Sequence, residues 1–76
     1  MRLTTLGTGT ASPSRRVNSG HLVEAGTVTL LMDCGSGVVH RMGTLGVNWL
    51  GITHVALTHF HPDHTLDLTT LLFAWR

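Results

Sequence analysis

Three imidazoles and one carboxylate lie within six consecutive residues, in the string His-Phe-His-Pro-Asp-His that contains His59, His61, Asp63 and His64. Imidazole nitrogens and carboxylate oxygens are the donors that zinc and other first-row divalent ions prefer in proteins. The string follows an apolar segment, so it occupies a loop in which neighbouring side chains can turn toward a common point. We predict that His59 and His61 hold one metal ion and that Asp63 and His64 point to a second position nearby, as a two-metal hydrolytic site requires.

A plainer interpretation of the same string exists. Histidines near a turn are often solvated, and Asp63 is a possible N-terminal cap for a helix over residues 65–75. The complete string behind an apolar strand favours the metal interpretation, because the motif stands in the structural context that it requires.

The pattern of apolar residues predicts the element order β-β-β-α-β-α. The predicted fold class is a mixture of strands and helices (α/β, more specifically α+β) in which the helices pack on a sheet. The predicted strands cover residues 3–6, 19–24, 27–32 and 52–58, and Ala25-Gly26 forms a hairpin turn between the second and third. One predicted helix begins after an N-cap at Ser36 and ends before Gly46. A second predicted helix covers residues 66–75.

The composition excludes several classes of protein. With 42% hydrophobic and 12% charged residues, the 76-residue chain is not a disordered tail. Its net charge of +1 does not by itself indicate a nucleic-acid-binding surface. The single cysteine, Cys34, excludes an internal disulfide and favours a cytoplasmic location. No apolar run reaches the roughly 20 residues that span a bilayer, so we expect no membrane partner.

Four features together resemble the metallo-β-lactamase superfamily. They are the histidine-rich string, the strand-ending Thr58, the early Gly7-Thr8-Gly9 and the turn Asp33-Cys34-Gly35. The spacing is most similar to that of ribonuclease Z-like hydrolases, although such sequences usually have glycine at the position of Asp67. The resemblance implies an αββα sandwich, of which residues 1–76 form the N-terminal portion as a single incomplete domain.

The resemblance also implies a metal-dependent hydrolase with two divalent ions, most often Zn²⁺, with Mn²⁺ or Fe²⁺ as alternatives. His59 and His61 would bind the first ion and Asp63 and His64 the second, while Asp63 also acts in catalysis by orienting a metal-bound hydroxide. The implied substrate is a phosphodiester resembling RNA, and the same scaffold also hosts ester, lactone and thioester hydrolysis. Asp33 would support the predicted metal-binding loop of residues 59–64 (the metal loop), and capping of the helix near Ser36 is its alternative role.

In that family the remaining metal ligands, two histidines and an aspartate, lie beyond the position of Arg76. We therefore expect the isolated chain to bind metal weakly and to catalyse poorly or not at all. The competing hypothesis is a non-catalytic truncated module that folds by self-association, as a homo-oligomer that buries the helix face around Leu72 and Trp75.

Other residues with possible chemistry are assigned ordinary roles. His21, His40 and His54 are not clustered, and Cys34 has no histidine motif beside it, so we predict a buried thiol rather than a nucleophile. For Arg15 and Arg16 a solvated loop pair is favoured over a phosphate contact. Residues 7–9 more closely fit a tight turn beside the site than a phosphate loop.

Overall fold

A four-stranded mixed sheet forms the frame of the chain, as shown by a computed structural model that describes residues 1–9 and 17–75. The outer antiparallel part comprises β1, β2 and β3, and β4 pairs with β3 in parallel. The strands are β1 (Arg2–Gly7), β2 (Gly20–Ala25), β3 (Val28–Met32) and β4 (His54–Ala56). Arg15 and Arg16 lie outside the described residues.

The helices confirm the predicted mixed fold and its approximate element order. Helix α1 (Val38–Thr44) connects β3 to β4, with a short 3₁₀ turn at Trp49–Gly51, and α2 (Pro62–Thr65) and α3 (Leu68–Trp75) follow β4. The hydrophobic core joins the strands to α1 and α3, so these helices pack on the sheet. Its fully buried members are Leu6, Leu22, Leu31, Cys34, Val38, Met42 and Leu71, with Ile52 at its border.

The hairpin turn lies one residue later than the sequence predicts. Ala25 still pairs with Val28, so the two turn residues are Gly26 and Thr27. Gly26 has φ +58°, a conformation that glycine adopts at no steric cost and that two-residue hairpins favour.

Helix α1 ends as predicted but begins differently. Its N-cap is Gly37, with φ +89° and no side-chain cap, so the prediction of Ser36 as the N-cap was wrong. At the other end Gly46 adopts φ +70°. The amides of Gly46 and Val47 donate to the carbonyls of Gly43 and Met42, which is the Schellman pattern of hydrogen bonds.

Strand β4 is short and largely exposed, so the prediction of a buried strand over 52–58 was wrong in its extent and burial. The parallel pairing stops at Met32 and Ala56. It stops there because Asp33, the residue that follows Met32 at the end of β3, has φ +67° and is no longer in the strand conformation.

The predicted helix over 66–75 is divided from the metal loop by a break at Leu66 and Asp67. The Asp67 amide donates to the carbonyl of Cys34 at 2.9 Å, which interrupts the bonding between α2 and α3. The N-cap of α2 is His61, and Asp63 lies within its first turn, so the alternative role of Asp63 as a helix cap was wrong. None of the helices in the described part of the chain has the length and hydrophobicity that a membrane-spanning segment requires.

Candidate metal centre

The site is built where the parallel strands β3 and β4 end. Carboxyl ends of neighbouring parallel strands meet at one edge of a sheet. Asp33 follows β3 directly and Thr58 follows β4 after one intervening residue, and the Asp33 amide donates to the Ala56 carbonyl at 2.8 Å. The sheet therefore brings residues 33 and 58 together, with the histidine-rich string immediately after them.

Asp33 is the buried centre of this cluster, with a relative exposure of 4%. Its Oδ1 accepts a hydrogen bond from the Thr58 amide at 2.8 Å. Its Oδ2 accepts from the Thr58 hydroxyl at 2.8 Å, from Nδ1 of His64 at 2.8 Å and, at 3.4 Å, from the Ser19 hydroxyl. One carboxylate thus joins β3, the end of β4 and the metal loop.

Two opposing effects act on the pKa of Asp33. Burial by itself raises that pKa, because it removes water from the charged form, whereas hydrogen bonds from the Thr58 amide, His64 and the Thr58 hydroxyl lower it. The hydrogen bonds outweigh the burial, and the pKa lies below its ordinary value. Asp33 is therefore a carboxylate at neutral pH and a pure hydrogen-bond acceptor.

The contact with Asp33 determines which nitrogen of His64 carries a proton. A carboxylate only accepts, so Nδ1 of His64 is the donor in the 2.8 Å contact. The other ring nitrogen, Nε2, lies 3.4 Å from Oδ2 of Asp63. His64 and Asp63, the pair predicted from the sequence for one metal position, therefore place a ring nitrogen and a carboxylate oxygen side by side.

His59 is oriented through Thr58. The Thr58 hydroxyl lies 3.1 Å from Nδ1 of His59, and its single hydrogen is already donated to Asp33. Its oxygen is then free to accept from Nδ1–H of His59, which leaves Nε2 of that ring available to a ligand. The His59 ring centre lies 4.8 Å from that of His64 and 6.1 Å from that of His61.

The nitrogen and oxygen donors of the site are arranged as pairs, and each pair could contribute two ligands to one divalent ion. With Zn–N distances of about 2 Å, two imidazoles on one ion have ring centres roughly 5–6 Å apart. The separation of 6.1 Å between the ring centres of His59 and His61 lies just above that span. Across residues 1–9 and 17–75, no group of three or more His, Cys, Asp or Glu side chains converges on a single point for an ion.

Backbone hydrogen bonds fix the metal loop against two other segments. The Ser19 amide donates to the Asp63 carbonyl at 3.0 Å, and the Cys34 amide donates to the His64 carbonyl at 2.6 Å. Gly35 lies between these segments, where a Cβ atom would be 2.1 Å from the Asp63 carbonyl oxygen. This close approach requires glycine at position 35.

The remaining histidines and the cysteine lie apart from this cluster. His40 is exposed on α1, His21 lies within β2, and Nδ1 of His54 lies 2.8 Å from the neighbouring Thr53 hydroxyl. Cys34 is fully buried, and burial together with the nearby Asp67 charge raises its pKa to about 12. A thiol with that pKa is not a nucleophile near neutral pH, in line with the sequence prediction.

Two residues of the site, Thr58 and Asp67, have roles that the sequence does not predict. The position of Thr58 directly before His59 is the signal that its hydroxyl could reach the imidazole. From the sequence, Asp67 is only a departure from a family pattern. Its Oδ2 accepts hydrogen bonds from the amides of Gly37 and Val39 at 3.0 and 3.1 Å. Asp67 therefore caps the start of α1, a role that was predicted for Ser36 or Asp33.

Comparison with known proteins gives a consistent set of relatives. The family model described as Anti-Pycsar protein Apyc1 matches residues 1–76. A ribonuclease Z of Mycolicibacterium gilvum (strain PYR-GCK) is 44% identical over 73 residues, which cover 95% of this chain and 26% of the relative. The chain thus spans about a quarter of the length of that curated relative.

Solved structures agree with the sequence comparison. The short form of human tRNase Z (ELAC1) superposes with a TM-score of 0.87 at 34% identity, covering 96% of this chain and 29% of that one. The metallo-β-lactamase fold protein YhfI of Bacillus subtilis has a TM-score of 0.83 at 34% identity, covering 95% and 29% respectively.

Proposed function

The chain belongs to the Anti-Pycsar protein Apyc1 family and to the metallo-β-lactamase superfamily, in which its relatives are ribonuclease Z-like. We propose that it carries part of a two-metal site for phosphodiester hydrolysis. The observation that supports this most directly is the clustering of His59, His61 and His64 at the sheet edge, where Asp33 fixes the orientation of His64. Such fixed imidazoles are typical of metal ligands rather than of solvated histidines.

In this proposal His59 and His61 hold one divalent ion, and Asp63 and His64 hold the other. When bound, such a pair of ions lowers the pKa of water to about 7 and stabilises the charge that develops on the substrate. Zn²⁺ is our first choice because imidazole nitrogen dominates the donor set, and Mn²⁺ and Fe²⁺ are the alternatives.

The residues of this chain have separate roles in that chemistry. Asp33 keeps the proton of His64 on Nδ1, and the Thr58 hydroxyl does the same for His59, so that both rings present Nε2. Asp63 is the proposed catalytic carboxylate, which orients the attacking water for displacement at the phosphorus atom. Asp33 and Thr58 position these groups without contacting the substrate.

A phosphodiester such as RNA is the proposed substrate class. The relatives named ribonuclease Z and tRNase Z support it, and the aligned region covers about a quarter of each. One fold hosts many activities, so hydrolysis assays with a phosphodiester and with RNA test this substrate class.

The experiment compares the protein at its full encoded length with two matched variants, His61→Ala and His40→Ala. Bound metal is measured by elemental analysis, and hydrolysis is measured with bis(p-nitrophenyl) phosphate and with RNA. We expect His61→Ala to lose both metal and activity and His40→Ala, altered at an exposed position on α1, to keep both. A metal-free wild-type protein, or a fully active His61→Ala variant, would contradict the proposal.

A second hypothesis, non-catalytic self-association, is favoured by the apolar surface of α3. Leu72 and Phe73 are 52% and 65% exposed, and Leu66, just before this helix, is 59% exposed. Trp75, which was predicted to share this face, instead packs against the core, and its Nε1 donates to the Trp49 carbonyl at 3.1 Å. A homo-oligomer that covers this face would remove apolar area from water. Sedimentation equilibrium tests it: a dimer that Leu72→Glu dissociates would support the hypothesis, and a wild-type monomer at all concentrations would contradict it.

A cytoplasmic location stays a prediction. Its supporting observation is that the single cysteine, Cys34, is a buried free thiol.

A further inference from the structure

Asp67 lies outside the histidine-rich string, yet its backbone and its side chain both contact the turn that carries Asp33. The Asp67 amide donates to the Cys34 carbonyl at 2.9 Å. Its carboxylate Oδ2 accepts from the amides of Gly37 at 3.0 Å and Val39 at 3.1 Å. A single residue therefore joins the start of α3 to both ends of the segment between β3 and α1.

This segment needs support from outside itself. Asp33 has φ +67°, and Gly37 has φ +89°, so two left-handed residues lie within one short turn. A non-glycine residue in that conformation persists only where the surrounding contacts favour it. Helix α1 also begins without a side-chain cap from its own sequence, and the Asp67 carboxylate satisfies two of its first amides.

The same turn is attached to the metal loop next to His64. The Cys34 amide donates to the His64 carbonyl at 2.6 Å, and the Cys34 carbonyl accepts from Asp67. Residues 33–34 and 64–67 are thereby held as a pair of facing segments, with the contact between Asp33 and His64 beside them. Movement of the turn would displace the carboxylate that orients the imidazole.

We propose that Asp67 is a positioning residue of the metal centre, which holds the Asp33 turn so that Asp33 can fix the proton of His64 on Nδ1. The expected consequence of this positioning is stronger metal binding, and that consequence rests on the proposed function. The underlying claim, that Asp67 determines the state of the His64 ring, concerns this chain without metal.

The test compares wild type with Asp67→Ala, Asp67→Asn and the control Leu22→Ala, which destabilises the core from within β2. Nitrogen NMR of the metal-free protein near neutral pH reports the protonation of each ring nitrogen of His64, and calorimetry measures Zn²⁺ affinity. For Asp67→Ala we expect the Nδ1–H signature of His64 to give way to the Nε2–H tautomer and Zn²⁺ affinity to fall about tenfold.

The matched variants separate positioning from stability. Asp67→Asn keeps an acceptor oxygen and should retain the wild-type ring signature, and Leu22→Ala should retain it despite a lower melting temperature. If Asp67→Ala does not fold, Asp67→Glu moves the carboxylate by one methylene and is measured in the same way. An unchanged His64 signature in the variant that folds would overturn the proposal. If the wild-type protein at its full encoded length bound no Zn²⁺, the proposed function would be overturned, while the ring signature would still decide the role of Asp67.

Discussion

The carboxylate of Asp33 lies 2.8 Å from Nδ1 of His64, although the two residues are 31 positions apart in the sequence. Asp33 is buried and follows β3, whereas His64 lies on α2 beyond the end of β4. Their contact connects the frame of the fold to the loop that carries the predicted metal donors.

Replacing Asp33 by Asn should weaken metal binding by about ten- to a hundredfold, since loss of the partner behind a metal-binding histidine has an effect of that size. Asn tolerates the left-handed conformation of position 33, so the backbone should persist. Titration calorimetry with Zn²⁺ measures the affinity. Glu24→Gln removes another acidic side chain at the exposed pair with Arg2 and should have no effect on affinity.

Thr58→Val should keep the shape of the side chain and remove the hydroxyl that contacts both Asp33 and His59. We expect a loss of about 1.5–3 kcal/mol in the free energy of unfolding, which is the usual contribution of a hydrogen bond to a charged group such as the Asp33 carboxylate. Urea denaturation measures it, and Zn²⁺ affinity should fall in parallel. An unchanged affinity would show that Thr58 does not orient His59.

Gly35→Ala should destabilise the chain by about 1–3 kcal/mol, because the new methyl group would overlap the Asp63 carbonyl and the Asn18 side chain. Gly43→Ala is the matched control within α1, where a Cβ atom has open space. That variant should gain about 0.5–1 kcal/mol from helix propensity. Thermal or urea denaturation measures the free energy of unfolding of both variants. Equal stabilities of Gly35→Ala and Gly43→Ala would contradict the steric argument.

The folded chain should lose stability in alkaline solution because its thiol, Cys34, is buried. Burial raises the pKa of its thiol from 9.0 to about 12 in the folded state, so the unfolded chain loses this proton first and stability falls as pH rises through that interval. The sequence has no tyrosine or lysine, the side chains that ordinarily titrate there. Unfolding curves at increasing pH measure the slope, and Cys34→Ala should remove it.

Leu71→Ala should cost about 2–5 kcal/mol, because Leu71 is fully buried and the change leaves a cavity between α3 and the sheet. The neighbouring Leu72 is 52% exposed, and Leu72→Ala should cost much less in a dilute monomer. Denaturation at low protein concentration compares the two variants. A large loss for Leu72→Ala that grows with concentration would instead indicate self-association through α3.

The sequence predicted those features that depend on neighbouring residues. The order of elements follows from runs of apolar residues, the end of α1 from Gly46, and the donor set of the site from six consecutive positions, 59–64. Side chains this close in the chain are confined to one loop in any fold, so the sequence alone predicts them as a set of donors.

The tertiary structure decided how those donors are held. The start of α1 was predicted at Ser36 because capping was sought within the local sequence, whereas the capping carboxylate belongs to Asp67, 28–30 residues away. Parallel pairing of β3 with β4 brings Asp33 to Thr58, and that pairing leaves no local pattern in the sequence. Hydrogen bonds between distant residues depend on the packing of whole elements, and for this reason the orientation of His64 could be established only from the folded chain.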